Sequence, residues 1–239
     1  MDIVASVASI ASRRHLLEKV VESLIPQVDR LNVYLNGYDR VPPFCAHKKI
    51  LHAILSRNAG YRGPEAKLWF ADPTQFAAPP RMKADDIHLL CDDDILYPSD
   101  YTDRMVAALR ERAGSIVCVH GSRFIEPIQT YGTSRRVYGF REALGQDMRV
   151  HIAGTGTVAY VVGGMPIQVD RDIRAPNMID VQFSICAKEW SIPIWALRRA
   201  EGWLRYLPPP DGVTIWDQRG GAGNDEIETE LVKAASPWT

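Results

Sequence analysis

Apolar residues along the first half of the chain alternate between two rhythms. Residues 2–10 form a short β-rich run, and residues 13–25 then carry Leu16, Leu17, Val20, Val21, Leu24 and Ile25 at helical spacing until Pro26 interrupts them. A second strand over 31–35 stops at the turn-forming Asn36-Gly37. Residues 49–55 read as a third strand, followed by a polar loop over 56–63 and a helix from about Pro64 to Phe70. The pattern predicts a fourth strand at 87–91, an amphipathic helix at 101–112 and a fifth strand at 115–120. Strands alternating with helices imply a mostly parallel sheet covered on both faces, so the fold class is α/β.

The rhythm changes after residue 120. Residues 121–176 fill with Gly, Arg, Tyr and Thr, which predicts short antiparallel strands and loops. A helix at 180–190, a strand at 192–197 and a last helix at 225–235 follow. The Pro-rich 208–212 and the Gly-rich 218–224 suit a mobile loop. With no internal repeat and no clear linker, the expectation is one domain over 1–239. Its first half, 1–120, would bind a nucleotide, and its irregular second half, 121–239, would meet the other substrate.

Bulk properties narrow the function by exclusion. The chain has 239 residues, 46% hydrophobic and 24% charged, with a net charge of -1. That balance provides no global attraction to nucleic acid or to an anionic membrane. Cys45, Cys91, Cys118 and Cys186 show neither CxxC nor zinc-like spacing, and the histidines form no HExxH pair. No signal-peptide pattern and no run of about 18 apolar residues is present, so a cytoplasmic location, including the inner face of a membrane, is expected. GxSxG is also missing, which leaves Ser/His/Asp catalysis without its local signature.

Candidate chemistry centres on Asp92-Asp93-Asp94, at the end of the apolar run 87–91. Hard cations such as Mg²⁺ and Mn²⁺ take oxygen ligands and commonly use one or two carboxylates beside a substrate diphosphate. In open α/β sheets ligands gather beyond the carboxyl ends of the strands. If the chain stays extended here, Asp92 and Asp94 point to one side and Asp93 to the other. A solvated acidic turn, with Ser99 or Asp100 capping the next helix, explains the same residues without a metal.

Four segments, in order, resemble the GT-A fold of nucleotide-sugar-dependent glycosyltransferases, particularly family-2-like bacterial enzymes. They are residues 4–13, the strand end Tyr34-Leu35-Asn36-Gly37, the aspartate triplet, and Met178-Ile179-Asp180-Val181-Gln182-Phe183. The resemblance spans nearly the whole chain through short motifs. It implies that the triplet is the family's DxD motif, with Asp94 on a Mn²⁺ or Mg²⁺ ion bridging the donor's phosphates and Asp92 near the ribose or sugar. Asp93, Ser9, Arg13, Asn36 and Lys67 would then flank the donor, with Asp39 an alternative to Asn36. Asp180 would be the general base that takes the acceptor's hydroxyl proton. The family's usual pair of adjacent acids is reduced here to Ile179-Asp180.

Each assignment has a structural alternative. Ser12 and Asp180 are both good helix caps, Asn36 suits a turn, and Lys67 suits the solvated face of a short helix. Gly154-Thr155-Gly156, within 151–160, would floor the acceptor site, glycines allowing close approach and threonine hydroxyls meeting sugar hydroxyls, or would simply be a bulged strand. Trp203 would stack on an acceptor sugar or pack in the core, while Trp216, Arg219, Asn224 and Asp225 could close over the donor. The acceptor would be a glycan, a lipid-linked molecule or another hydroxyl compound, in polysaccharide or glycoconjugate synthesis, with no nucleic-acid partner. A sugar nucleotidyltransferase and a non-catalytic carbohydrate-binding domain remain the competing readings.

Overall fold

The opening β-rich run folds as β1, Ile3–Ile10, which sends Ala5 and Val7 into one layer of the core and Ala8 into the other. This is the two-residue alternation of a strand buried on both faces. A 3₁₀ turn, Ala11–Arg13, leads into helix α1, Arg14–Leu24, and neither start carries a side-chain cap bond, so Ser12 does not cap it. Leu16, Leu17, Val20, Val21 and Leu24 form the buried stripe of α1, each contributing about 1.5–3 kcal/mol by leaving water. The computed structural model describes residues 1–60, 62–76, 79–209 and 225–238, and Trp216, Arg219 and Asn224 lie outside them.

Strand β2, Arg30–Asn36, is buried along its full length, and β3 is His52–Leu55. The predicted 56–70 region resolves into two short helices, α2 (Ser56–Ala59) and α3 (Ala66–Trp69). Then come β4 (Ile87–Asp92), the two-residue β5 (Ile95–Leu96) and helix α4 (Tyr101–Glu111). Leu89 and Cys91 of β4 join α1 and α4 on one face of the sheet. Leu90, between them, packs with α3 on the other.

The irregular region supplies β6 (Ile116–Cys118), β7 (Gly121–Phe124), β8 (Arg135–Tyr138), β9 (Met148–Val150), β10 (Ile152–Ala153) and β11 (Thr157–Val161). Helices α5 (Val169–Asp172) and α6 (Ile179–Glu189), strands β12 (Ile194–Ala196) and β13 (Arg205–Tyr206), and helix α7 (Glu226–Ala234) follow. The main sheet has eight strands in the order β3-β2-β1-β4-β11-β6-β12-β9, with β10-β7-β8 as a small antiparallel sheet and β13 paired with β5. Strand β11 lies antiparallel between β4 and β6, and β9 is antiparallel to β12. The expected short antiparallel strands are therefore present, and two of them complete the main sheet.

Insertion of β11 places the site. Because β11 runs against β4, Thr157 at its start pairs with Cys91 near the end of β4. The Gly154-Thr155-Gly156 turn thus arrives beside the aspartate triplet. All four cysteines are free and buried, in keeping with their expected behaviour as small hydrophobes.

Under the centre of the sheet, His88 is fully buried, its ring nitrogens 2.8 Å from the Ser6 and Tyr160 hydroxyls. Burial, with Arg30 and Lys67 nearby, pulls its pKa down to about 3. The folded state therefore resists a proton that the unfolded chain accepts near pH 6.5, so stability is lost as pH falls from 6.5 towards 3, at about 1.4 kcal/mol per pH unit. Urea unfolding at pH 7, 5.5 and 4.5 should show this slope and a shallower one in His88→Gln. Equal slopes would remove His88 as the cause.

Candidate functional site

The strand ends β1, β2 and β4, the start of β11 and the first turn of α6 bring the predicted residues to one edge of the main sheet. The triplet is not extended. Strand β4 ends at Asp92, and Asp93 and Asp94 form a turn before β5. Asp93 therefore does not point freely away: Arg13 Nη1 reaches its Oδ1 at 3.1 Å and the Oδ2 of Asp94 at 3.2 Å. A simple solvated turn does not describe this arrangement, since Asp93 is buried and the Asp94 side chain is mostly so.

Asp92 has a different partner. Lys67, 1% exposed and so not on a solvated helix face, donates to Asp92 Oδ1 at 2.5 Å. Burial alone would lower the Lys67 pKa, but the Asp92 carboxylate, with Asp180 further off, outweighs it and holds the value above the usual lysine range. Lys67 thus forms an ion pair that orients Asp92. The Asp92 side chain remains 41% exposed, open for a further contact. Tyr97, which sequence reasoning missed, receives a hydrogen bond from the Asp92 backbone N–H at 2.8 Å and donates to the Gly156 carbonyl at 2.6 Å.

Negative charge is in surplus here. Burial, then the adjacent Asp92 and Asp93 carboxylates, push Asp94 up to about 7 despite Arg13. Burial also raises Asp93, against Ser9 and Arg13. Two hard oxygen donors in excess negative charge suit a divalent cation, which fits Asp94 and Asp92 as its protein ligands. Among the described residues no three His, Cys, Asp or Glu side chains form a metal site by themselves. A cation would draw its other ligands from diphosphate and water, the usual manner of Mg²⁺.

Across the turn lies Asp180. It sits in the first turn of α6 behind Met178, not at the cap position. Its Oδ1 accepts from the Thr155 backbone N–H at 2.8 Å and from the Thr155 hydroxyl at 2.6 Å. Thr155 is buried, and Thr157 donates to the Gly154 carbonyl, so these hydroxyls do not face a sugar as expected. The turn instead spaces two carboxylates: a Cβ on Gly156 would lie 2.0 Å from Asp92 Oδ2, and one on Gly154 would lie 2.6 Å from His120 Cδ2. His120, unforeseen from the sequence, packs there with its Nδ1 lacking a hydrogen-bond partner. Burial lowers its pKa, with Asp180 opposing. Glu65 accepts from the Asn177 N–H and so ties the approach to α6 back to α3.

The remaining predictions divide. Ser9 is buried beside the Tyr38 hydroxyl at 3.1 Å, close enough to influence Asp93. Asn36 spends its amide on the loop, donating to the Gly63 carbonyl at 3.1 Å and accepting from the Arg62 N–H at 3.2 Å, and Asp39 is exposed. Trp203 is not with the Gly154–Gly156 turn. Its Nε1–H donates to Asp100 Oδ1 at 2.9 Å and Arg104 lies 3.8 Å over its ring. Asp100 therefore serves Trp203 and makes no side-chain cap bond on α4. The following segment meets the triplet, Leu207 N–H donating to the Asp94 carbonyl at 2.7 Å. Asp225 is buried and accepts from the Gly132 N–H, which occupies it within the fold.

No protein-family model and no curated protein sequence matches the chain. Solved structures do. GalNAc-T7, crystallised with UDP, GalNAc and Mn²⁺, superposes with a TM-score of 0.59 at 7% identity, over 88% of this chain and 45% of that one. S. aureus TarS, residues 1–349, in complex with UDP-GlcNAc, reaches 0.50 at 12% identity, over 84% and 57%. The chain thus spans about half the length of these two. A 4-diphosphocytidyl-2C-methyl-D-erythritol synthase also reaches 0.50 at 12% identity, over 89% of this chain and 95% of that one. At such identities the likeness establishes the GT-A-like α/β fold, shared by glycosyltransferases and nucleotidyltransferases.

Proposed function

We propose that this GT-A-like chain is a glycosyltransferase that moves a sugar from a nucleotide-diphospho-sugar to an acceptor hydroxyl with inversion. One observation carries the reading: the Gly154-Thr155-Gly156 turn holds Asp180 through Thr155 on one side and closes on Asp92 through Gly156 on the other. Two carboxylates with different partners, set across one rigid turn, suit two tasks.

Asp180 takes the proton of the acceptor hydroxyl as its oxygen bonds to the anomeric carbon, while the carbon–oxygen bond to the diphosphate breaks. Thr155 aims the carboxylate and leaves its Oδ2 for that proton. Asp94 and Asp92 would hold Mn²⁺ or Mg²⁺, which when bound supplies Lewis-acid neutralisation of the departing diphosphate. Lys67 fixes Asp92, and Arg13 fixes Asp93 and Asp94, so the grip is set before the donor arrives. The Mn²⁺ present with GalNAc-T7 supports the use of a divalent cation. A glycan or lipid-linked acceptor in polysaccharide or glycoconjugate synthesis, and a cytoplasmic location, belong to the same reading. No helix among the described residues is long and apolar enough to cross a membrane.

Thermal shift with UDP-, GDP-, dTDP- and CMP-sugars, with and without Mn²⁺, tests donor binding. A ligand at 100 times its Kd stabilises the native state by about 2.7 kcal/mol, and Asp94→Asn should lose the Mn²⁺-dependent part. If no nucleotide sugar raises the melting temperature in either condition, the proposal fails. The near full-length match to the diphosphocytidyl synthase favours nucleotidyl transfer as the second reading. Pyrophosphate release from a nucleoside triphosphate and a sugar phosphate would select it.

A further inference from the structure

A separate cleft of about 420 Å³ opens beyond the far end of α6, lined by Arg149, His151, Lys188, Ser191 and Trp238. Its volume lies in the range of small-molecule sites. Among the described residues no Asp or Glu lines it. The Phe124 N–H donates to His151 Nδ1 at 3.0 Å, so the neutral ring carries its proton on Nε2 and offers a donor. Burial, with Arg123 and Arg149 nearby, lowers the His151 pKa to about 4 and keeps that tautomer neutral near pH 7. Trp238, buried, packs at a tilt against His151, ring centroids 5.8 Å apart, and its ring centroid sits 5.6 Å from Lys188 Nζ.

The lining thus collects the Lys188 ammonium, the His151 Nε2–H and the Ser191 hydroxyl, with Arg149 beside them, its guanidinium 5.9 Å from the Trp195 ring centroid, around a space far larger than a bare anion requires. Ser184 at its floor donates to the Asp180 carbonyl at 2.6 Å, so the cleft and the transfer site share one helix stripe. We infer that this cleft is a second ligand site, for an anionic polyhydroxylated ligand: a sugar carrying a phosphate or a carboxylate. The charge selects the anion, and the Ser191 hydroxyl, the His151 Nε2–H and the volume select the hydroxylated body, the Ser184 hydroxyl being spent between the Asp180 carbonyl and the Ala153 N–H. This assignment stands independently of the transfer reading.

Calorimetric titration of the full chain at low ionic strength, without nucleotide or divalent cation, tests it with glucose, glucose 6-phosphate, glucuronate and inorganic phosphate. At least one anionic sugar should bind about tenfold or more tighter than glucose, and the tighter of the two identifies the source of the charge. The Arg149→Gln/Lys188→Gln double variant should lose that advantage while keeping its melting temperature, and Asp94→Asn should bind like the parent. Equal binding of glucose and both anionic sugars would overturn the proposal, as would unchanged binding in the double variant. Inorganic phosphate binding as tightly as glucose 6-phosphate would overturn the saccharide assignment. Loss of binding in Asp94→Asn would place the ligand at the triplet instead.

Discussion

Asp180→Asn should lower sugar transfer by about 10²–10⁴-fold while leaving the melting temperature and donor binding unchanged. The substitution is conservative where the fold is concerned, since an asparagine Oδ1 can still accept both hydrogen bonds from Thr155. What it removes is the basic oxygen. Transfer rates with a saturating donor, beside thermal shift with the same donor, separate the two roles. A variant that keeps full activity would remove Asp180 from the chemistry. One that loses donor binding together with its fold would make the carboxylate a strut for α6.

Gly156→Ala should abolish cation-dependent donor binding without replacing any proposed ligand. A methyl group there would sit 2.0 Å from Asp92 Oδ2 and 2.4 Å from its Cγ. Asp92 is partly exposed, so the least costly relief is rotation of its carboxylate away from the turn. That motion strands Lys67, which is buried and has Asp92 as its ion partner. An overpacked position costs about 1–3 kcal/mol, and a buried cation without its counter-ion adds to it. Urea unfolding measures that cost, and the Mn²⁺-dependent part of the donor's thermal shift measures the function. If that part survives at the parent's size, Asp92 does not belong to the cation's grip.

Much of this framework is legible in the sequence because it depends on periodicity. The α1 stripe, the buried strands β2 and β4, and the triplet at a strand end all follow from spacing and burial. Sequence spacing does not reveal partners contributed from far along the chain. Arg13 and Asp93 are 80 residues apart, and Lys67 and Asp92 are 25. Thus Asn36, Thr155 and Lys67 read as free polar groups when each is taken up by the fold. The capping reading of Asp180 failed for a related reason, since local propensity for a cap says nothing about a donor across the turn. Tyr97 and His120 carry no motif at all.

The antiparallel β11 has a consequence for assembly. Its Thr157 pairs with Cys91, so 66 residues must be added before β4 gains this neighbour. At synthesis rates of about 5–20 residues per second, that edge stays open for roughly 3–13 s on the ribosome. An unpaired apolar edge is a template for association with other chains, and the delay makes it a point of vulnerability during biogenesis. The same late step brings the Gly154–Gly156 turn against Asp92, and Asp180 reaches Thr155 only after α6 has followed. Covering of the β4 edge therefore precedes completion of the candidate site, and a nascent chain that stalls before α6 has the triplet without Asp180.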